Sequence, residues 1–188
     1  MMNDVIEKIE MNPVIAAVRK EADIEAAVQS QVTTVFLLHA DIFNIKRLVE
    51  KVKSHEKNVF VHIDFLEGLG KDEKAIEYIT EVIAPNGIIS TKSGNIKFVK
   101  DRGMFAIQRF FLVDSLSYET TIKTVNNVKP DMIEIMPAVM PGVIKRICRE
   151  VSLPVIAGGL ISTKEDIIEI LKSGAIGAST GSKELWVL

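Results

Sequence analysis

The sequence predicts an α/β protein, a compact (β/α)8 TIM-type barrel forming a single domain over residues 1–188. Three observations predict it. Eight short apolar runs recur along the chain, separated by longer stretches with helical spacing of apolar residues, and strands that alternate with helices form a parallel sheet. The runs are continuously apolar, as expected of strands covered on both faces. Finally, 188 residues over eight units leave about 23 each, close to the minimum for a strand, a helix and two short loops. Eight such units normally close into a barrel. An open doubly wound sheet is the competing arrangement, and it would leave the eighth strand at an edge.

The strand-like runs are Val14–Val18, Val35–Leu38, Val59–Ile63, Ile88–Ile89, Phe105–Gln108, Met132–Ile135, Val155–Ala157 and Ile176–Ala178. Amphipathic stretches between them include Ile42–Val52, Asp72–Val82, Val139–Val151 and Thr163–Leu171. Turn signals precede several strands: Pro85-Asn86-Gly87, Arg102-Gly103, Lys129-Pro130-Asp131 and Ser173-Gly174. Ser162 and Thr163, followed by Glu165 and Asp166, read as a helix cap with an acidic first turn. A last short helix is expected over Lys183–Leu188, with Trp186 pinning it to the barrel. Met132, Met136 and Met140 read as core filler.

Composition narrows the class. Hydrophobic residues make up 47% and charged residues 26%, with a formal net charge of −2. These values exclude a disordered chain and give no global attraction to nucleic acid or an anionic membrane. Cys148 is the one cysteine, so no intrachain disulfide can form; it reads as a small apolar filler, and a reducing cytoplasm is the expected compartment. The N-terminus has no signal-peptide pattern, and no apolar run is long enough to span a bilayer.

In this fold the working face lies at the C-terminal ends of the strands. Polar residues gather there: Arg19, His39 with Asp41, His62 with Asp64 and Glu67, Ser90 through Ser93, Gln108-Arg109, Glu134, Gly158-Gly159, and Ser179 through Ser182. A strand buried on both sides holds a charge cheaply only when it is paired. His62 and Asp64, two residues apart, share a face. Such residues serve either a ligand or a buried network closing the barrel.

The last two loops carry the sharpest signal. Barrels with a phosphate site build it from the loops after strands 7 and 8. Here those loops hold Gly158 and Gly159, then Ser179, Thr180, Gly181 and Ser182. Glycine lets backbone N–H groups approach an anion closely, and the hydroxyls add donors. Lys92 and Arg109 would neutralise the same anion, unless they pair with Asp64, Glu67 or Glu134. His39, Asp41, His62, Asp64 and Glu134 include metal-ligand types, but no spacing is a metal signature, so no metal is expected. No Ser-His-Asp or Cys-His arrangement is evident.

Several stretches together resemble the bacterial glycerol-uptake operon antiterminator regulatory proteins. They are residues 13–19 (PVIAAVR), 61–64 (VHID), 87–93 (GIISTKS), 106–111 (AIQRFF), 133–137 (IEIMP), 154–161 (PVIAGGLI) and 183–186 (KELW), covering nearly the whole chain. The resemblance implies a regulator rather than an enzyme. It implies glycerol 3-phosphate as effector, no cofactor, and action on the leader mRNA of a glycerol operon. Asp64, Gln108 and Glu134, with His62, Arg19 and His39, would then meet the ligand's polar groups. The family pattern has glycine where this chain has Ala138, and Ser-Asn where it has Gly181-Ser182. A homo-oligomer is compatible with the sequence. Cations cluster at Lys46, Arg47, Lys51 and Lys53, at Lys97, Lys100 and Arg102, and at Lys145, Arg146 and Arg149, and read as solvated helix faces. The competing function is a small aldolase- or isomerase-like enzyme for a triose or sugar phosphate. It would use Asp64 or His62 for proton transfer and Lys92 for a Schiff base.

Overall fold

Eight parallel strands close into a barrel: β1 Val14–Val18, β2 Thr34–Leu37, β3 Asn58–His62, β4 Gly87–Ser90, β5 Phe105–Phe111, β6 Met132–Met136, β7 Val155–Gly158 and β8 Gly177–Thr180. The structure is a computed structural model that describes residues 2–70 and 72–188. Each strand pairs with its neighbour in sequence, and β8 returns to β1 with Val14 opposite Ala178. The open-sheet alternative is thereby excluded.

Strand alternation divides the apolar residues into two cores. Ile15, Phe36, Phe60, Ile89, Ile107 and Ile156 belong to a cluster that fills the bore. Their neighbours, such as Ala16, Val35, Val59, Ile88, Ala106 and Val155, pack outward under the helices. Within the bore, Phe60 meets Phe36 and Phe105 edge to face, each at 5.6 Å between ring centroids. Gly87 makes room for this stack: a Cβ there would lie 2.6 Å from the Phe60 ring.

The helices are α1 Met2–Met11, α2 Ile24–Gln29, α3 Ile45–Ser54, α4 Glu73–Tyr78, α5 Ser93–Asp101, α6 Ser115–Val128, α7 Pro141–Glu150 and α8 Lys164–Lys172. The cap read at Thr163 is present. Its hydroxyl accepts from the Asp166 amide at 3.1 Å, and Asp166 accepts from the Thr163 amide at 2.9 Å. Helix α4 continues as a π-helical turn over Ile79–Ile83.

Two elements differ from the sequence expectation. Helix α1 precedes β1, and no strand–helix pattern announces it. Its Val5 and Ile9 enter the bore cluster, so α1 stoppers the N-terminal end of the barrel. At the other terminus, the expected Lys183–Leu188 helix is a single 3-10 turn, Lys183–Leu185. Trp186, 1% exposed, donates its indole N–H to the Thr180 carbonyl at 2.8 Å, and this anchor ends the turn early. Cys148 lies on α7 beside Gly174, and burial pushes its thiol pKa up, which suits a packing role. Among the described residues, no helix is long and apolar enough to cross a membrane.

Candidate functional site

The C-terminal mouth of the barrel holds two adjoining cavities. One, about 560 Å³, is lined by residues that include His39, Asp64, Phe65, Glu67 and Phe111. The other, about 340 Å³, is lined by Lys20, Asp23, Gly159, Leu160 and Ile161, and by Ser179 through Ser182. Arg19, Leu38, Arg109 and Met136 line both, so the two form lobes of one cleft of ordinary small-molecule size.

The smaller lobe brings together the turns after β7 and β8. These strands are neighbours, and the Thr180 hydroxyl donates to the Ile161 carbonyl at 3.2 Å, tying one turn to the other. Gly159 has φ +80°, a conformation that glycine adopts without strain. The Ser182 amide donates to the Thr180 hydroxyl at 3.1 Å, fixing the loop's shape. Lys20, with Arg19 and Arg109 shared with the larger lobe, brings cations to this lobe; Arg109 is paired below with Glu134, and the lobe's carboxylate, Asp23, is paired with Lys183. The larger lobe carries the carboxylates Asp64 and Glu67, with His39 3.3 Å from Glu67. The cleft thus has Arg19 and Arg109 at the junction of its lobes, Lys20 with amide and hydroxyl groups at one end, and carboxylate acceptors at the other. That polarity suits a short molecule with an anionic head and a hydroxylated tail.

Beneath the cleft lies a buried polar layer. Glu134 on β6 is wholly buried and faces Arg109 on β5, which is 5% exposed. Arg109 Nε donates to Glu134 Oε2 at 2.6 Å, and Ser179 Oγ donates to Glu134 Oε1 at 2.5 Å. His62 sits in the same layer, with neither ring nitrogen hydrogen-bonded among the described residues and its ring centroid 4.6 Å from that of Phe65. Burial, reinforced by the Arg109 charge, pulls its pKa down to about 4, so the imidazole is neutral at pH 7.

Asp64 belongs to a 3-10 turn after β3, Ile63–Phe65. It accepts from the Ser90 hydroxyl at 2.7 Å and from the Thr91 amide and hydroxyl at 2.7 and 2.8 Å. Burial alone would raise its pKa. The bonds from Thr91 and Ser90 outweigh burial and hold it below the usual value. Asp64 therefore presents an ionised carboxylate at the cleft while bracing the β4 loop.

The sequence-derived residues separate accordingly. Arg19, His39, Asp64, Arg109, Gly159, Ser179, Thr180, Gly181 and Ser182 line the cleft. His62 and Glu134 lie below it as supports. Three others are placed elsewhere. Gln108 points outward from β5, because residues 105, 107 and 109 take the inward positions, and its amide donates to Ser93 Oγ at 3.1 Å. Lys92 is exposed at the start of α5 and lines neither lobe. Gly158 serves the buried layer, since a Cβ there would lie 2.2 Å from Ser179 Oγ and 2.7 Å from Glu134 Oε1. Lys20, Leu38, Phe65, Phe111, Met136 and Leu160 also line the cleft and were missed. Lys20 follows Arg19 directly and had a legible signal; the apolar ones did not differ from core residues. Among the described residues, no group of three His, Cys, Asp or Glu side chains is placed to hold a metal ion.

Comparison with known proteins bears on this geometry. The family described as glycerol-3-phosphate responsive antiterminator matches residues 14–186. An uncharacterised Escherichia coli protein, YgcP, is 37% identical over 180 residues, covering 96% of this chain and 94% of that protein. The solved glycerol uptake operon antiterminator regulatory protein of Listeria monocytogenes superposes with a TM-score of 0.89 at 35% identity, covering 93% of this chain and 95% of its own. A glycerol uptake operon antiterminator-related protein of Thermotoga maritima superposes at 0.83 with 36% identity, covering 93% and 98%.

Proposed function

Because the chain belongs to the glycerol-3-phosphate responsive antiterminator family, we propose that it is a transcription regulator whose barrel mouth binds glycerol 3-phosphate. The bound form acts on the leader RNA of a glycerol operon. The supporting observation is the polarised cleft. Its smaller lobe combines the β7 and β8 turns with Arg19, Lys20 and Arg109, and suits the phosphate. Its larger lobe offers Asp64 and Glu67 as acceptors for the two glycerol hydroxyls.

A ligand shifts a regulator only through contacts that differ between its two states. Phosphate in the smaller lobe would cross-link loops from β1, β7 and β8. Hydroxyls in the larger lobe would engage the loops from β2 and β3. The ordered mouth is then the form competent for RNA. The expected coupling is typical of allosteric pairs, about 5- to 150-fold in RNA affinity. Gel-shift titration of leader RNA with and without glycerol 3-phosphate measures it; equal affinity in both conditions removes the gating.

The enzymatic alternative has less support. Schiff-base chemistry needs a lysine beside the substrate with a lowered pKa, and Lys92 stands exposed outside both lobes. Borohydride treatment with triose phosphates is expected to leave Lys92 unmodified, and a trapped adduct there would restore the alternative.

A further inference from the structure

We infer that the RNA docks on the rim of the barrel mouth, on an arc of exposed phenylalanines flanked by cations, and not on the helical flanks. The inference rests on the RNA-directed reading above. Around the mouth, consecutive strand-to-helix loops present Arg19 and Lys20 after β1, Phe43 after β2, Phe65 after β3, Lys92 after β4 and Phe111 at the end of β5. Phe43 is 93% exposed, and Phe65 and Phe111 are each 54% exposed. Aromatic rings left this open on a folded domain are unusual, and grouped on one face they mark a contact surface. Aliphatic side chains alone would suit a protein partner. Rings grouped on one arc with Arg19, Lys20 and Lys92 instead match unpaired bases stacked on aromatic faces, with phosphates held at the cations that flank them.

The helical flanks lack that character: exposed rings do not stand among their cations, and several of those cations are already engaged. On α3, Arg47 pairs with Glu21 and Lys51 with Glu25, and Lys53 donates to the Ala84 carbonyl. On α5, Lys100 pairs with Asp131; just beyond its end, Arg102 lies over the Phe98 ring and near Glu77. On α7, Arg146 pairs with Glu150 and stacks on Tyr118. The arc also shares residues with the ligand cleft, since Arg19, Phe65 and Phe111 line the larger lobe. An occupant of that lobe and a base on the rim would therefore contact the same side chains.

The test uses the full chain with saturating glycerol 3-phosphate and a fluorescent single-stranded RNA copied from the glycerol-operon leader of the organism that carries it. Anisotropy gives RNA affinity, and calorimetry gives effector affinity. Phe43 lines neither lobe, so Phe43→Ala is expected to bind the effector as wild type does. It should bind RNA at least about fivefold more weakly, as loss of one stacked base implies. Phe43→Tyr, which keeps a ring, should restore RNA binding. The α7 variant Lys145→Ala/Arg149→Ala should bind RNA normally. Unchanged RNA affinity in Phe43→Ala, or loss in the α7 variant, overturns the docking site and leaves the regulatory reading standing. Sedimentation that shows a wild-type dimer dissociated by Phe43→Ala would reassign the rim to a second copy of the chain. A wild type that binds effector but no RNA in either condition would remove the RNA role and the docking site together.

Discussion

At Gly158 a side-chain carbon would press on Ser179 and Glu134, whereas at Gly159 the backbone itself is left-handed. Adjacent glycines thus answer different needs, packing below the cleft and turning above it. Gly158→Ala should crowd the buried layer and cost about 1–3 kcal/mol in urea unfolding. Glu134→Ala strands Arg109 without its partner and should cost about 3–5 kcal/mol. His62 links this layer to pH. Its pKa falls from 6.5 to about 4 on folding, through burial and then Arg109, with Asp64 opposing. Between those values the unfolded chain takes up a proton that the folded chain refuses. The stability contributed by the neutral ring is complete above pH 6.5 and is lost as pH falls toward 4, by about 3 kcal/mol. His62→Phe should flatten the pH dependence of the urea midpoint across that window; an unchanged slope would place the proton uptake elsewhere.

The strands and most helices were legible because periodicity reports burial directly. Val14–Val18 was read to the residue, and the Thr163 cap was read with its acidic partner. Helix α1 was not, because a helix that fills the barrel bottom carries the same apolar spacing as one lying on the sheet. What identifies it is contact: Ile9 is fully buried, and a Cβ on Gly177 would lie 2.9 Å from its Cγ2. Ile9→Ala should therefore cost about 2–5 kcal/mol, as a core deletion does, and a cost near that of a surface change would mean that α1 does not seal the bore. Gln108 was misplaced for a related reason. A polar residue near a strand end looks the same in sequence whichever way it points; the parity of β5 is set by Arg109, which faces Glu134 inside the barrel.

For the molecule as a whole, the barrel separates stability from recognition. The N-terminal end is stoppered by α1, the bore is apolar, and a polar layer built on Glu134 supports the mouth. Everything proposed to vary with ligand lies above that layer, in surface loops outside the closed core. That the turns after β7 and β8 line one cavity was legible because it depends on glycines and hydroxyls in two successive loops. The larger lobe was less so, because nothing in the residue types of Phe65 and Phe111 sets them apart from buried phenylalanines, and only the fold places them at the rim.

Calorimetry with glycerol 3-phosphate tests the central claim most directly. Gly181 is the informative position, because a Cβ there meets only the Ala17 carbonyl at 3.6 Å and the backbone is not left-handed, so a side chain fits. The wild type should bind glycerol 3-phosphate saturably and glycerol far more weakly. Gly181→Asp, with a carboxylate set in the anion lobe, should keep its unfolding midpoint and lose at least about tenfold in affinity, equivalent to one like-charge contact of about 1.4 kcal/mol. Absence of binding by the wild type, or equal affinity in a folded Gly181→Asp, would contradict the assignment of the phosphate to the β7 and β8 turns.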